Sequence, residues 1–245
     1  MSNRIAPKLL AEFIGTFALI FIGAGAGAVV GDGVGLPGLA AIAFAHGLTV
    51  MVFAFAYGPV SGGHFNPSVT VGVLAAGAMR VGEAAGYIVS QLIGGIAGAL
   101  LLRAVLGGAE TGLGTPALAH NVALGATTLT VTAWAGFVIE ATLAFFLVTV
   151  VLSTAVAGRA GALAPLAIGM TLTLNIIMGG ALTGAAFNPA RALGPMVATG
   201  NFNDAWLYLT APIVGAIVAA IVHTCLARLV QQRTPSPGAA RMPAE

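Results

Sequence analysis

Six stretches of this sequence, 9–31, 37–57, 84–106, 134–157, 162–182 and 205–228, are apolar over lengths that cross a bilayer as helix, at about 20 residues per crossing. Only Glu12, Arg103 and Glu140 interrupt them with charge until Arg228 in the last turn of the sixth. The composition excludes a soluble fold. Charged residues make up 7% of the 245, against roughly 25% in soluble domains, so a water-facing surface could not be covered. Mean hydropathy is +1.02. The length fits one domain of several spans. The first stretch has no evident cleavage site and carries Glu12 inside its apolar run, so it is expected to remain as a span.

Lysine and arginine set the expected orientation. Six spans put both termini on one side. That side collects Arg4, Lys8, Arg80, Arg159, Arg228, Arg233 and Arg241, whereas the other has only Arg103. The excess places the termini in the cytoplasm. The tail, 231–245, is polar and proline-rich and is expected to be disordered. Cys225 is the single cysteine, so no internal disulfide can form. A net charge of +2 gives no footprint for a nucleic-acid partner. Glycine is abundant, at 35 residues, and the rows Gly23, Gly27, Gly31 and Gly94, Gly98 suit close helix packing, within one chain or between chains.

Two further apolar pieces, 66–79 and 188–199, are too short to span. Each opens on Asn-Pro after a glycine-containing segment: Asn66-Pro67-Ser68 after Ser61-Gly62-Gly63-His64-Phe65, and Asn188-Pro189-Ala190 after Thr183-Gly184-Ala185-Ala186-Phe187. Asparagine caps helices and proline suits the first helical position, so each reads as a short helix entered from a non-helical loop. Irregular backbone at membrane depth is tolerated where protein buries it or where it lines a water-filled cavity, so two such pieces argue for a pore. The pieces are also repeats. Asn66 and Asn188 lie 122 residues apart (188 − 66), and Glu12 and Glu140 lie 128 apart (140 − 12). Each half carries three spans, an odd number, so the halves are inverted and their short helices meet near the midplane. The fold expected is an all-α membrane protein of six transmembrane helices and two re-entrant half-helices. It forms one channel domain over 1–230, with repeats at about 6–107 and 134–230.

The paired Asn-Pro motifs, the arginine after the second, and a buried glutamate ahead of each resemble the signature of the aquaporin, or major intrinsic protein, family over roughly residues 6–230. The resemblance implies a homotetramer in which every protomer has its own pore. A membrane enzyme would need a metal cluster or a nucleophile–base set, and the four histidines, His46, His64, His120 and His223, form no metal-ligand spacing with carboxylates, so no cofactor, metal or catalysis is expected. Ser68 departs from the usual alanine of the first motif, and its hydroxyl can bond within the half-helix.

Asn66 and Asn188 use their side-chain oxygens as caps, which leaves their amide N–H groups to donate to a passing water. That water then donates away from the midplane, and the positive ends of the half-helix dipoles repel cations, so a proton wire is opposed at its centre. Arg191 is the only charge in a half-helix and must face water or a partner. The resemblance places it in an outer constriction with His46, Ile176 and Ala185. Those three are carried over by spacing: His46 is twenty residues before Asn66, and Ile176 and Ala185 are fifteen and six before Arg191. Histidine and isoleucine here are similar to tonoplast-type plant members and ammonia-permeable animal members. Glu12 and Glu140 are expected to accept from loop N–H groups. They would then hold extended segments whose carbonyls, at Gly62, Gly63, His64, Gly184, Ala185 and Ala186, face the pore. His120 either approaches Arg191 at the mouth or is an ordinary solvated loop histidine.

The reading is a passive channel for water and ammonia, set in the plasma (cell inner) membrane, that excludes protons and ions. Two alternatives stay open: a broader pore for hydrogen peroxide, urea or glycerol, and a proton-coupled transporter using the membrane carboxylates. Ala192, where glycerol-passing relatives carry aspartate, and Tyr208 lean toward water, whereas Leu209 leans toward glycerol.

Overall fold

The computed structural model describes residues 5–31, 35–124 and 127–233. Six helices are long and apolar enough to cross a membrane: Ile5–Val30, Gly35–Ser61, Val81–Val105, Ala133–Val156, Gly161–Thr183 and Ala205–Val230, here spans 1 to 6. The last continues to Arg233, past the boundary expected at 230. The expected disordered tail lies, from 234 onward, outside the described residues. Spans 1 and 4 each contain a π-helical segment, Leu19–Ala24 and Leu152–Val156. The connection between the repeats adds one short antiparallel ribbon, Val122–Leu124 with Thr127–Leu129, to the otherwise helical architecture.

The two half-helices are Pro67–Ala75 and Pro189–Thr199. Asn66 accepts from the Ser68 N–H, and Asn188 from those of Ala190 and Arg191, with proline first in each helix. The first is shorter than the 66–79 read from the sequence. Its chain turns at Gly77, where φ is +75°, and Ala78 N–H closes back on the Val73 carbonyl at 3.1 Å. That left-handed glycine ends a helix that the apolar run Ala75 to Met79 would otherwise extend. The second ends in the same way at Gly200, with φ +75° and its N–H on the Met196 carbonyl.

Glycine contacts set the packing, and they follow the repeat. Gly47 of span 2 and Gly169 of span 5 cross back to back: a Cβ on either would lie 2.5 Å from the other's carbonyl oxygen. They are 122 residues apart (169 − 47), the spacing of the two asparagines. Gly94 and Gly98 of span 3 press on the Phe13 and Phe17 carbonyls of span 1, and Gly215 of span 6 presses on the Ala141 carbonyl of span 4. The Gly94 and Gly98 row therefore packs within the chain. Gly23 instead makes room for the His46 ring, whose Cδ2 would lie 2.6 Å from a Cβ there.

Candidate functional site

The half-helices meet N-terminus to N-terminus, and their caps bond across the repeat boundary. Asn66 Nδ2 donates to the Phe187 carbonyl at 3.1 Å, and Asn188 Nδ2 donates to the Phe65 carbonyl at 3.0 Å. Each side-chain oxygen is already occupied by its own half-helix. An amide NH2 has two donors, so one N–H on each asparagine remains for a solute. Both asparagines line a cavity with Val50, Val69, Leu147 and Leu172. Ser68 adds a bond that Ala190 cannot make: its hydroxyl lies 2.7 Å from Asn66 Oδ1 and 3.2 Å from the Phe187 carbonyl oxygen.

The loops leading to the caps adopt a costly backbone. Gly62 and Gly63 have φ of +92° and +66°, and Gly184 has +78°. Phe65, Ala185 and Phe187 also take positive φ, a region that side chains with a Cβ disfavour. A carboxylate offsets this strain in each repeat. Glu12 Oε1 accepts from the Ser61 hydroxyl at 2.7 Å and His64 N–H at 2.9 Å, and its Oε2 from Phe65 N–H and Gln91 Nε2, both at 2.7 Å. Glu140 Oε1 accepts from the Thr183 hydroxyl at 2.6 Å and Ala186 N–H at 3.0 Å, and its Oε2 from Phe187 N–H. Both glutamates are fully buried. Two tyrosines complete the pattern, with Tyr87 donating to the Ser61 carbonyl and Tyr208 to the Thr183 carbonyl. His64 hydrogen-bonds Thr70 Oγ1 at 3.1 Å and meets the Tyr87 ring edge-on. Gly62, Gly63 and His64 line the cavity on one side of the asparagines; Ala185 and Ala186 line the next cavity, and Gly184 the mouth beyond it.

His46, Ile176, Ala185 and Arg191 come together around one narrow cavity, whose wall also includes Leu19, Leu172, Ala186, Phe187 and Asn188. His46 Nδ1 lies 2.9 Å from the Ile42 carbonyl one turn earlier. A carbonyl only accepts, so Nδ1 carries the proton and, in the neutral ring, Nε2 is an acceptor. Arg191 Nη1 donates to the Gly114 carbonyl at 2.8 Å. His46 Nε2 and Arg191 Nε are buried with no hydrogen-bond partner among the described residues. This narrow cavity therefore holds a buried acceptor at His46 Nε2 and a buried donor at Arg191 Nε that are both open. Outside it, a wider mouth is lined by Gly31, Thr111, Gly112, Thr115 and Gly180.

Sequence reasoning missed Gln91, Tyr87, Ser61 and Gly114. Tyr87 and Tyr208 are 121 apart (208 − 87), close to the asparagine spacing, so the repeat itself carried their signal. Gly114 gave no signal, because any residue supplies a carbonyl. His120 is exposed, and the loop partner of Arg191 is Gly114.

The family model for the major intrinsic proteins matches residues 2–223. The chain belongs to this family. Curated relatives of this channel include aquaporin NIP1-2 of Oryza sativa subsp. japonica, 38% identical over 89% of this chain and 71% of the relative. Probable aquaporin TIP1-2 of the same plant is 38% identical, over 89% and 85%. Nodulin-26 of Glycine max is 38% identical, over 91% and 79%. Among solved structures, the aquaglyceroporin from Plasmodium falciparum matches with a TM-score of 0.76 over 94% of this chain and all of that one, at 23% identity, which is a likeness of fold. A major intrinsic protein with six apolar spans is an integral multi-pass membrane protein and a passive channel for water or small solutes.

Proposed function

We propose that this channel passes water and ammonia and blocks protons and ions. The observation that carries the reading is the constriction, where His46 Nε2 waits to accept and Arg191 Nε waits to donate. A buried polar atom left without a partner costs about 1–3 kcal/mol. Water and ammonia each donate and accept and are small enough for a narrow ring, so either satisfies both atoms in passing. A cation is repelled by Arg191 and by the half-helix N-termini. The free N–H groups of Asn66 and Asn188 orient a central water so that it cannot relay a proton through the midplane. Ile176 leaves the ring too tight for fast glycerol, and Ala192 beside Arg191 fits the same preference.

In this reading Glu12 and Glu140 anchor loops rather than relay protons, because their oxygens are engaged by the donors of those loops. The loop carbonyls of Gly62, Gly63, His64, Gly184, Ala185 and Ala186 then form the polar track on either side of the asparagines. The working unit is a homotetramer in the plasma membrane with both termini in the cytoplasm, an orientation supported by the excess of lysine and arginine on that side.

The test uses proteoliposomes. Water flux should show a low activation energy without a proton current. An inward ammonia gradient should alkalinise the lumen faster than in empty liposomes, and glycerol should lag. The double variant His46→Phe, Ile176→His should keep water flux and drop ammonia entry toward the empty-liposome rate. Equal ammonia rates in both proteins, or a native rate no higher than empty liposomes, would leave a plain water channel.

A further inference from the structure

Both tryptophans of the chain, Trp134 and Trp206, sit in one aromatic stack. Trp134 lies 5.8 Å from Phe137, with the rings 3° from parallel, and Phe137 lies 6.0 Å from Trp206 at 20°. Trp134 is the second residue of span 4, and Trp206 is the second residue of span 6. These spans pack side by side through Gly215, and both begin on the face opposite the chain termini, so the two indoles lie at one level. They are 72% and 54% exposed, and neither indole N–H has a hydrogen-bond partner among the described residues. Toward the membrane interior the same helices continue as exposed apolar surface, with Val138, Phe146, Val214 and Ile221. Away from it, the chain before span 6 carries the polar Asn201, Asn203 and Asp204, with Phe202 exposed between the two asparagines.

We propose that this stack is a lipid-docking surface whose occupant is phospholipid at the boundary between headgroup and acyl chain. An indole has an apolar body and one donor, and it suits a level where hydrocarbon meets ester carbonyls. The gradient here has that form: apolar helix below, three flat rings with two free N–H donors among the described residues, and above them a segment of Asn201, Asn203 and Asp204 with one further aromatic, Phe202. The surface is continuous with the exposed apolar sides of spans 4 and 6. It holds the start of span 6, and with it the second half-helix just before, at a fixed depth. The opposite face instead carries basic residues such as Arg80 and Arg228 and has no tryptophan.

Because the stack holds every tryptophan, intrinsic tryptophan emission of the full chain reports on it alone. The chain is reconstituted in phosphatidylcholine brominated either near the ester linkage or near the chain end, and iodide is added outside vesicles that present this face. Quenching by the shallow bromines should exceed quenching by the deep ones by about twofold, as an interfacial indole requires. Iodide should quench weakly. The single variants Trp134→Phe and Trp206→Phe should each show the same depth preference. Emission insensitive to bromine at both depths would mean that a second copy of the chain covers the stack, and would overturn the proposal. Dominant iodide quenching, or different depths for the two indoles, would overturn it as well.

Discussion

The two repeats solve the same loop problem with different chemistry. In the first, the positions around the cap are polar: His64, Ser68, Thr70 and Gln91. Their counterparts, 121 or 122 residues on, are Ala186, Ala190, Ala192 and Pro212. The first repeat joins its polar side chains into a network, in which Gln91 Nε2 bridges Glu12 and Thr70, so that Glu12 accepts from four groups. Glu140 accepts from three. The second repeat substitutes proximity. A Cβ on Gly194 of its half-helix would lie 2.5 Å from the Gly95 carbonyl oxygen of span 3, whereas one on the equivalent Gly72 would lie 3.5 Å from that of Ala216. Small residues and backbone contact hold the half-helix that carries Arg191; hydrogen bonds hold the other. The elements that never change are the glutamate, the hydroxyl at Ser61 or Thr183, and the tyrosine on the carbonyl of that residue.

The sharpest way to break the comparison is to remove its shared part. Glu12→Ala and Glu140→Ala each strand two buried loop N–H groups, at about 1–3 kcal/mol apiece, so both should lose most folded protein on solubilisation. A thermal melt in detergent at the native midpoint, for either, would contradict the anchoring role. Gly95→Ala gives span 3 the residue that span 6 has at Ala216. Its Cβ would meet the Ala190 carbonyl at 2.7 Å, so overpacking of about 1–3 kcal/mol is expected, together with reduced water flux as the second half-helix shifts. Unchanged flux and melting would show that proximity is not what holds that half-helix. Gln91→Leu should cost about 1–2 kcal/mol by removing donors to Glu12 and Thr70 while leaving permeability near native. A larger loss of flux than of stability would give the network a part in conduction. Ser68→Ala makes the first motif match the second, and melting should fall by only about 0.5–1.5 kcal/mol, one hydroxyl bond.

Much of this was legible in the sequence because it repeats. The spans follow from apolar length, the half-helices from Asn-Pro after glycine, and their pairing from two spacings, 122 and 128, that differ by six residues (128 − 122). The four constriction residues came from the family pattern, and the structure gathers them around one cavity. Illegible parts lack a side-chain signal. The Gly114 carbonyl that receives Arg191 is backbone, and what makes glycine necessary there is a positive φ and the Ala24 carbonyl 2.5 Å from any Cβ. Gln91 is matched in the second half by Pro212, so a search for repeated residues passes over it. The early end of the first half-helix depended on one left-handed glycine that apolarity does not reveal.

The crossed caps also order the protein's birth. A ribosome makes Glu12, Ser61, Phe65 and Gln91 before any of the second half exists, and every donor that Glu12 holds lies in that first half. The first loop can therefore be shaped early. The amide of Asn66 must wait for the Phe187 carbonyl, some 120 residues later in synthesis, and the Phe65 carbonyl waits for Asn188. Two prefabricated halves close on each other in the last step, and only then does a through-path exist. A nascent chain arrested after span 3 would leave the Asn66 amide without the Phe187 carbonyl that it bonds in the finished protein.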